Sequence, residues 1–240
     1  MKKILWLTVL LALLLPQAAL AENLIENPGF ETVSGGLPAA WQRDMWDRSE
    51  GVSELIAEGG AYEGAYCAKV ENFSANDARF AQNVPVEPGA LYRVTCRIRA
   101  EGVGEDEDGA GISVKDTFAS SELVYDTQGA WVPVELYGIA GDDQTEITVL
   151  ARLGGYGSTN TGMAWFDDFR MEKVDSAPAD ANVYSFTTLS ADGGEDVDFS
   201  AADEPQKGPY TLLLSLIGAL SVLMMFWSAL AARRGALENL

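Results

Sequence analysis

The sequence predicts an all-β domain, a jelly-roll β-sandwich, exported from the cell and carried on one C-terminal transmembrane α-helix. Three observations predict it. Between Asn23 and Lys173 short alternating apolar segments are separated by turn residues, and no helical period holds for three turns. The first 21 residues read as an export signal. Residues 210–232 are 23 positions without a charge, followed at once by Arg233 and Arg234.

The export signal comes first. Lys2 and Lys3 precede the apolar run 4–15, and Ala19-Leu20-Ala21 supplies the small-x-small pattern of a cleavage site. The mature chain is therefore expected to begin at Glu22. The apolar run is too short to span a bilayer comfortably, and no Cys follows the site to carry a lipid.

Strands are expected at 52–57, 66–70, 79–86, 91–100, 111–117, 131–139, 146–153 and 163–174. Turn chemistry punctuates them: Gly59-Gly60, Pro88-Gly89, Gly109, Thr127-Gln128-Gly129, Gly141-Asp142-Asp143 and the glycine-rich loop 154–162. Short strands at this spacing form a β-sandwich or jelly roll. The domain is expected over 22–174, and an acidic linker over 175–209, where only 183–189 looks like an added strand. The run 210–232 is long enough to cross a hydrocarbon core. The arginines behind it place the tail 233–240 in the cytosol and the β domain outside a cell membrane crossed once. A rival reading of this end is a sortase-processed wall anchor. Glu204-Pro205-Gln206-Lys207-Gly208 stands where Leu-Pro-x-Thr-Gly would be, but without the Leu and Thr.

Composition excludes several functions. Acidic residues outnumber basic ones 36 to 16, and four of the basic ones lie at positions 2, 3, 233 and 234, so the domain repels nucleic acid. The absence of histidine removes Ser-His-Asp and Cys-His nucleophile systems and His-based zinc sites. With 36 carboxylates, coincidental acidic pairs are no signal of a glycosidase. Gly154-Gly155-Tyr156-Gly157 lacks the strand-to-helix setting of a phosphate loop. No catalytic constellation is present in the sequence, and a non-enzymatic role is expected. The tripeptide Asn72-Phe73-Ser74 matches a glycosylation acceptor. Alternation points Cys96 inward with Tyr92, Val94 and Ile98, and Cys67 outward with Lys69 and Glu71, a poor arrangement for a disulfide.

The opening segment Asn23-Leu24-Ile25-Glu26-Asn27-Pro28-Gly29-Phe30-Glu31 and the closing Trp165-Phe166-Asp167-Asp168-Phe169-Arg170-Met171 resemble a known family. They look like the first and last strands of the CenC-like jelly-roll carbohydrate-binding modules attached to cellulases and xylanases. Landmarks between them fit as well: Trp41 after Leu37-Pro38, the segment 64–70, Gln82 before Val84, the segment 88–92, and Gly129-Ala130-Trp131. The resemblance covers 23–174 and implies binding of a polysaccharide or cell-envelope glycan. It also implies a structural calcium ion tying the first and last strands, and the carboxylates placed for it are Glu31 and Asp167. Alternation puts Asp167 on the face of Trp165, Phe169 and Met171, hence inward, where an unpaired carboxylate is costly, and Asp168 outward with Arg170 and Glu172. The acidic run 105–108 reads as a solvated loop tip.

Sugar rings stack on aromatic faces flanked by hydrogen-bonding side chains. The resemblance assigns Trp41 and Trp131 to the core. That leaves Trp46 in its polar stretch, Tyr137 on the face opposite Val132, Val134 and Leu136, and Tyr156 in its glycine loop, with Gln82 and Arg79 as polar partners. The expected partners are carbohydrate, a membrane through one helix, and a membrane enzyme. Two alternatives stand beside this reading. One is the exported front end, or a partner, of a polytopic membrane glycosyltransferase. The other is a structural spacer or protein-contact domain.

Overall fold

A computed structural model describes residues 22–189, which form strands and no helix. The strands are β1 (Val33–Ser34), β2 (Leu37–Pro38), β3 (Gln42–Met45), β4 (Ser53–Gly59), β5 (Tyr66–Asn76), β6 (Ala78–Pro85), β7 (Leu91–Glu101), β8 (Ala110–Val114), β9 (Val132–Ile139), β10 (Glu146–Leu153), β11 (Asn160–Lys173) and β12 (Val183–Ser185). The expected export signal 1–21, transmembrane run 210–232 and tail 233–240 lie outside the described residues.

Two sheets carry the fold. One is ordered β3-β6-β10-β8 and the other β12-β9-β7-β11-β5-β4, with β1 and β2 pairing separately. From β5 to β11 each strand lies in the opposite sheet from the one before it, and the main ladders are antiparallel. A chain that alternates between sheets in this way builds a sandwich with one shared core. The core draws on both inner faces: Phe80, Ile112, Val149 and Leu153 from the four-stranded sheet, and Val70, Val94, Ile98 and Phe166 from the six-stranded one. At one end Trp41 stands 5.1 Å from both Phe30 and Phe169, whose rings meet edge-on at 6.0 Å. Trp41 is thus a core residue, as the resemblance implied.

The expected strands appear with shifts of a few residues at their ends, and β3 and the β1–β2 pair are additional. β3 is polar except for Met45, which packs against the core, so it carries no apolar alternation. It forms because its backbone completes the free edge of β6.

Three local readings change. Asp167 and Asp168 form a β-bulge in β11, where the register with β7 slips and Asp168 adopts φ 50°. Ahead of the bulge Trp165 and Asp167 face outward and Phe166 inward. Beyond it Phe169 and Met171 face inward, so Asp167 does not share their face. It is nevertheless fully buried, because the loop 60–66 closes over it. Cys67 is on the outer face, as alternation required, but that face is covered here too and the residue is fully buried; both cysteines are free thiols. The chain also stays on the domain past Val174. β12 pairs in parallel with β9, Phe186 is completely buried on Gly138, and the Leu189 N–H donates to the Asp116 carbonyl at 2.7 Å. The linker expected from Asp175 therefore does not begin before Leu189.

Candidate functional site

The outer face of the six-stranded sheet gathers the chemistry. Alternation along β7 turns Arg93, Thr95, Arg97 and Arg99 outward, because Tyr92, Val94, Cys96 and Ile98 fill the core. Register then sets their neighbours: Tyr137 and Glu172 flank Arg93, Pro133 and Asp167 flank Arg97, and Trp165 lies beside Arg99.

Two of these arginines lie against aromatic rings. The Arg97 guanidinium stands 4.7 Å from the centre of the Tyr62 ring, contributed by the loop between β4 and β5. That of Arg99 lies between Trp131, at 5.1 Å, and Trp165, at 4.3 Å. Tyr62 and Trp131 meet edge to face at 6.2 Å, so the rings and cations form one continuous row. The indole of Trp165 is buried and donates to Glu58 Oε2 at 2.6 Å. Lys69, next along the face, is held by Glu54, Glu58 and Glu71 at 3.8, 3.5 and 2.6 Å. Trp131, which the resemblance placed in the core, is half-buried on this outer face. Tyr62 is 40% exposed.

Beside the row an open cavity of about 790 Å³ is lined by Arg93, Arg97, Glu135, Tyr137 and Tyr184, among others. Arg93 is committed there, donating to Glu135 at 2.9 and 3.1 Å and lying 3.7 Å from Glu172. Tyr137 is 6% exposed, and its hydroxyl donates to Glu135 at 3.3 Å. It borders the cavity but offers little open ring.

The remaining expected ligand contacts do not join this face. Trp46 is 77% exposed just after β3, on the other sheet. Tyr156 is 91% exposed beside a smaller cavity of about 330 Å³. Gln82 is buried and spent on the backbone of Glu26: its Oε1 accepts from the Glu26 N–H at 2.8 Å, and its Nε2 donates to the Glu26 carbonyl at 2.9 Å. Arg79 is spent as well. It donates to Asp44 at 2.8 and 3.0 Å and to Asp77 at 2.5 Å, and Asp77 also accepts from Arg152. Both residues hold the fold, and their orientation is set by these internal partners. Asn72 is closed to a glycan acceptor role: it is buried and its amide donates to three backbone carbonyls.

Sequence reasoning missed Tyr62, Arg97, Arg99 and Trp165. One signal was available. Three arginines on alternate positions of one strand are unusual in a chain with net charge −20, and alternation alone marks them as outward.

Glu31 and Asp167 both bind the backbone of the segment 62–66. The opening segment is stitched to β11 by Leu24 N–H to the Met171 carbonyl at 2.9 Å, Phe169 N–H to the Pro28 carbonyl at 2.9 Å, and Asn23 bonding Phe169 and Met171 at 3.0 Å each. Asp167 Oδ2 accepts from the Tyr62 and Glu63 N–H groups at 2.8 and 3.0 Å, and Oδ1 from Asp168 at 2.7 Å. Glu31 Oε1 accepts from Ala65 and Tyr66 at 2.9 and 3.0 Å, and Oε2 from Ala65 at 3.1 Å. Glu31 Cγ and Asp167 Oδ1 both approach within 3.8 Å of the point where a Cβ on Gly29 would stand. Burial pushes the Asp167 carboxyl above its ordinary range, with the Glu63, Asp168 and Tyr62 N–H groups pulling the other way. Burial, reinforced by Asp167, raises the Cys67 thiol to about 12, with Arg99 opposing.

The pair fits calcium in kind, since carboxylate oxygens are hard donors and Oδ1 and Oε2 each carry a single N–H. It falls short in number, because calcium takes six to eight oxygens. No cluster of three or more acidic, Cys or His side chains suited to a metal occurs among the described residues, so carbonyls or water would complete the shell.

No family profile matches the chain, and no curated protein sequence does. Solved structures similar to it include TmCBM61 in complex with β-1,4-galactotriose, at 20% identity, covering 64% of this chain and 100% of that one with TM-score 0.45. Another is the CBM22-1 xylan-binding domain from Paenibacillus barcinonensis Xyn10C, at 14% identity, covering 67% and 99% with TM-score 0.42. A third is a cyclase from Fischerella sp. TAU, at 15% identity, covering 66% and 100% with TM-score 0.48.

Proposed function

We propose that this chain is a non-catalytic surface protein, anchored by one C-terminal helix, whose β domain holds a glycan on the outer face of the six-stranded sheet. One observation carries the reading: the row Tyr62, Arg97, Trp131, Arg99 and Trp165 beside an open cavity of about 790 Å³. Sugar rings present C–H faces to aromatic rings and hydroxyls to polar side chains, and this face offers both side by side, with Arg97 shared between the row and the cavity. The rings are held in place by the stacked guanidiniums, so little side-chain entropy is lost when a ligand settles.

The test is a glycan array probed with the full chain in detergent, against Trp131→Ala and Tyr62→Ala. Each truncation is expected to weaken binding by about three- to tenfold, the worth of one stacking contact. Absence of binding to any glycan, or variants that bind like the parent, would overturn the proposal.

Membrane attachment rests on the charge-free run 210–232 and the arginines behind it. Protease added outside intact cells should digest the β domain and spare a small C-terminal fragment. Calcium, held between Glu31 and Asp167 with carbonyl and water oxygens, would lock the opening segment to β11. It should raise the melting temperature, and a chelator should reverse the rise. A melting temperature indifferent to both would remove calcium from the proposal.

A further inference from the structure

The described part of this acidic chain leaves few of its cations unpaired. Arg48, Lys69, Arg79, Arg93, Lys115, Arg152, Arg170 and Lys173 each lie within 4.0 Å of a carboxylate. Among the described residues Arg43, Arg97 and Arg99 do not; Arg43 stands alone on β3 of the other sheet, whereas Arg97 and Arg99 are adjacent on one face. They are successive outward positions of β7, about 7 Å apart along the strand, and each has its guanidinium carbon over an aromatic ring. An aromatic ring offers a guanidinium no hydrogen-bond acceptor in its plane, and the N–H edge is a planar fork matched to a carboxylate. In a protein with net charge −20, two arginines with no carboxylate within 4.0 Å, the neighbouring Asp167 being bonded to the Tyr62, Glu63 and Asp168 N–H groups, make an anion site whose anion the described residues do not supply.

We propose that the bound glycan is a uronate-bearing one, its carboxylate received by the edges of Arg97 and Arg99 while its neighbouring rings lie on Tyr62 and Trp131. This rests on the glycan-binding reading above and names the class of sugar. The same face limits how much negative charge it accepts. Glu122, Asp168 and Asp180 also line the cavity beside Arg97. A polymer charged at every residue would be repelled by them, so the ligand is a largely neutral chain carrying spaced uronates.

The experiment uses the full chain in detergent and a panel of uronate-bearing oligosaccharides, each beside its carboxyl-reduced twin, with polygalacturonate and a sulfated glycan as further arms. The acid form of a bound glycan is expected to bind about tenfold tighter than its reduced twin, the worth of a charge-assisted hydrogen bond. Arg97→Gln and Arg99→Gln should abolish that preference, so that the acid form and its reduced twin bind with equal affinity. Arg97→Lys, which keeps the charge and loses the fork, should recover only part of it.

Equal binding of the twins would overturn the uronate inference and leave the glycan reading standing. So would stronger binding of polygalacturonate or of the sulfated glycan. Arginine variants that melt lower and lose both twins alike would show the row to be structural, which also overturns the inference. Failure to bind either twin of any pair would overturn the inference and the glycan reading together.

Discussion

Removing the ring of Phe186 tests where the domain ends. Phe186 follows β12, is completely buried, and lies on Gly138 so closely that a Cβ there would enter its ring. Its N–H donates to the Ile139 carbonyl at 2.8 Å, a bond that Phe186→Ala retains. The substitution therefore isolates the side chain. Truncating a buried Phe costs about 3–5 kcal/mol, from lost burial and the cavity left behind. For a domain of this size each kcal/mol lowers the melting temperature by about 2–4 °C, so a fall of about 6–20 °C is expected. The assay is thermal unfolding of the full chain followed by tryptophan fluorescence. A fall under about 2 °C would refute the reasoning, since it would mean that 175–189 frays as linker and adds nothing to the core. A coupled measurement guards against coincidence. Gly138→Ala should overpack the same contact by about 1–3 kcal/mol, yet cost far less once Phe186→Ala has made room. Additive effects would contradict the contact.

Three further outcomes follow from particular contacts. Gly64 has φ 75° and its missing Cβ is the space occupied by the Glu31 carboxylate, so Gly64→Ala should destabilise by at least the ~1–2 kcal/mol of the left-handed backbone and shrink any calcium-dependent shift in melting temperature. Gln82→Ala should cost about 1–3 kcal/mol by leaving the Glu26 N–H and carbonyl unpaired, while glycan binding is unchanged; a selective loss of binding would return Gln82 to the site. Cys67 should resist alkylation at pH 8 in the folded chain and react fully in denaturant. Its folded pKa is raised, from 9.0 to about 12, so the folded state keeps the proton longer. The associated stability is complete below pH 9 and drains away as pH rises toward 12. Cys67→Ala should flatten that part of a stability–pH curve.

Much of the fold was legible along the chain because its causes are local. Alternation in β7 and β10 and the turns at Pro88-Gly89 and Gly141 depend on near neighbours, and these elements appear close to where they were expected. β3 was not legible, because Gln42, Arg43 and Asp44 have no reason to be a strand except the free edge of β6 beside them. Asp167 shows both sides of the limit. Its burial was expected, but for the wrong face, since alternation assumes an unbroken pleat and the bulge at Asp168 breaks it.

The candidate site divides the same way. The sequence by itself determined an acidic, histidine-free, all-β domain and the outward set of β7, because composition and period-two alternation need no partner to be read; the core role of Trp41 and the interest in Glu31 and Asp167 came from the family resemblance. Tertiary structure alone decided which aromatics share a face with those arginines. Tyr62 comes from a loop, Trp131 from the start of β9 and Trp165 from β11, segments far apart in sequence that meet only through sheet register. It also decided that Gln82 and Arg79 are consumed inside the fold. A polar side chain looks free in a sequence, and only the positions of all its neighbours show whether its hydrogen bonds are already made.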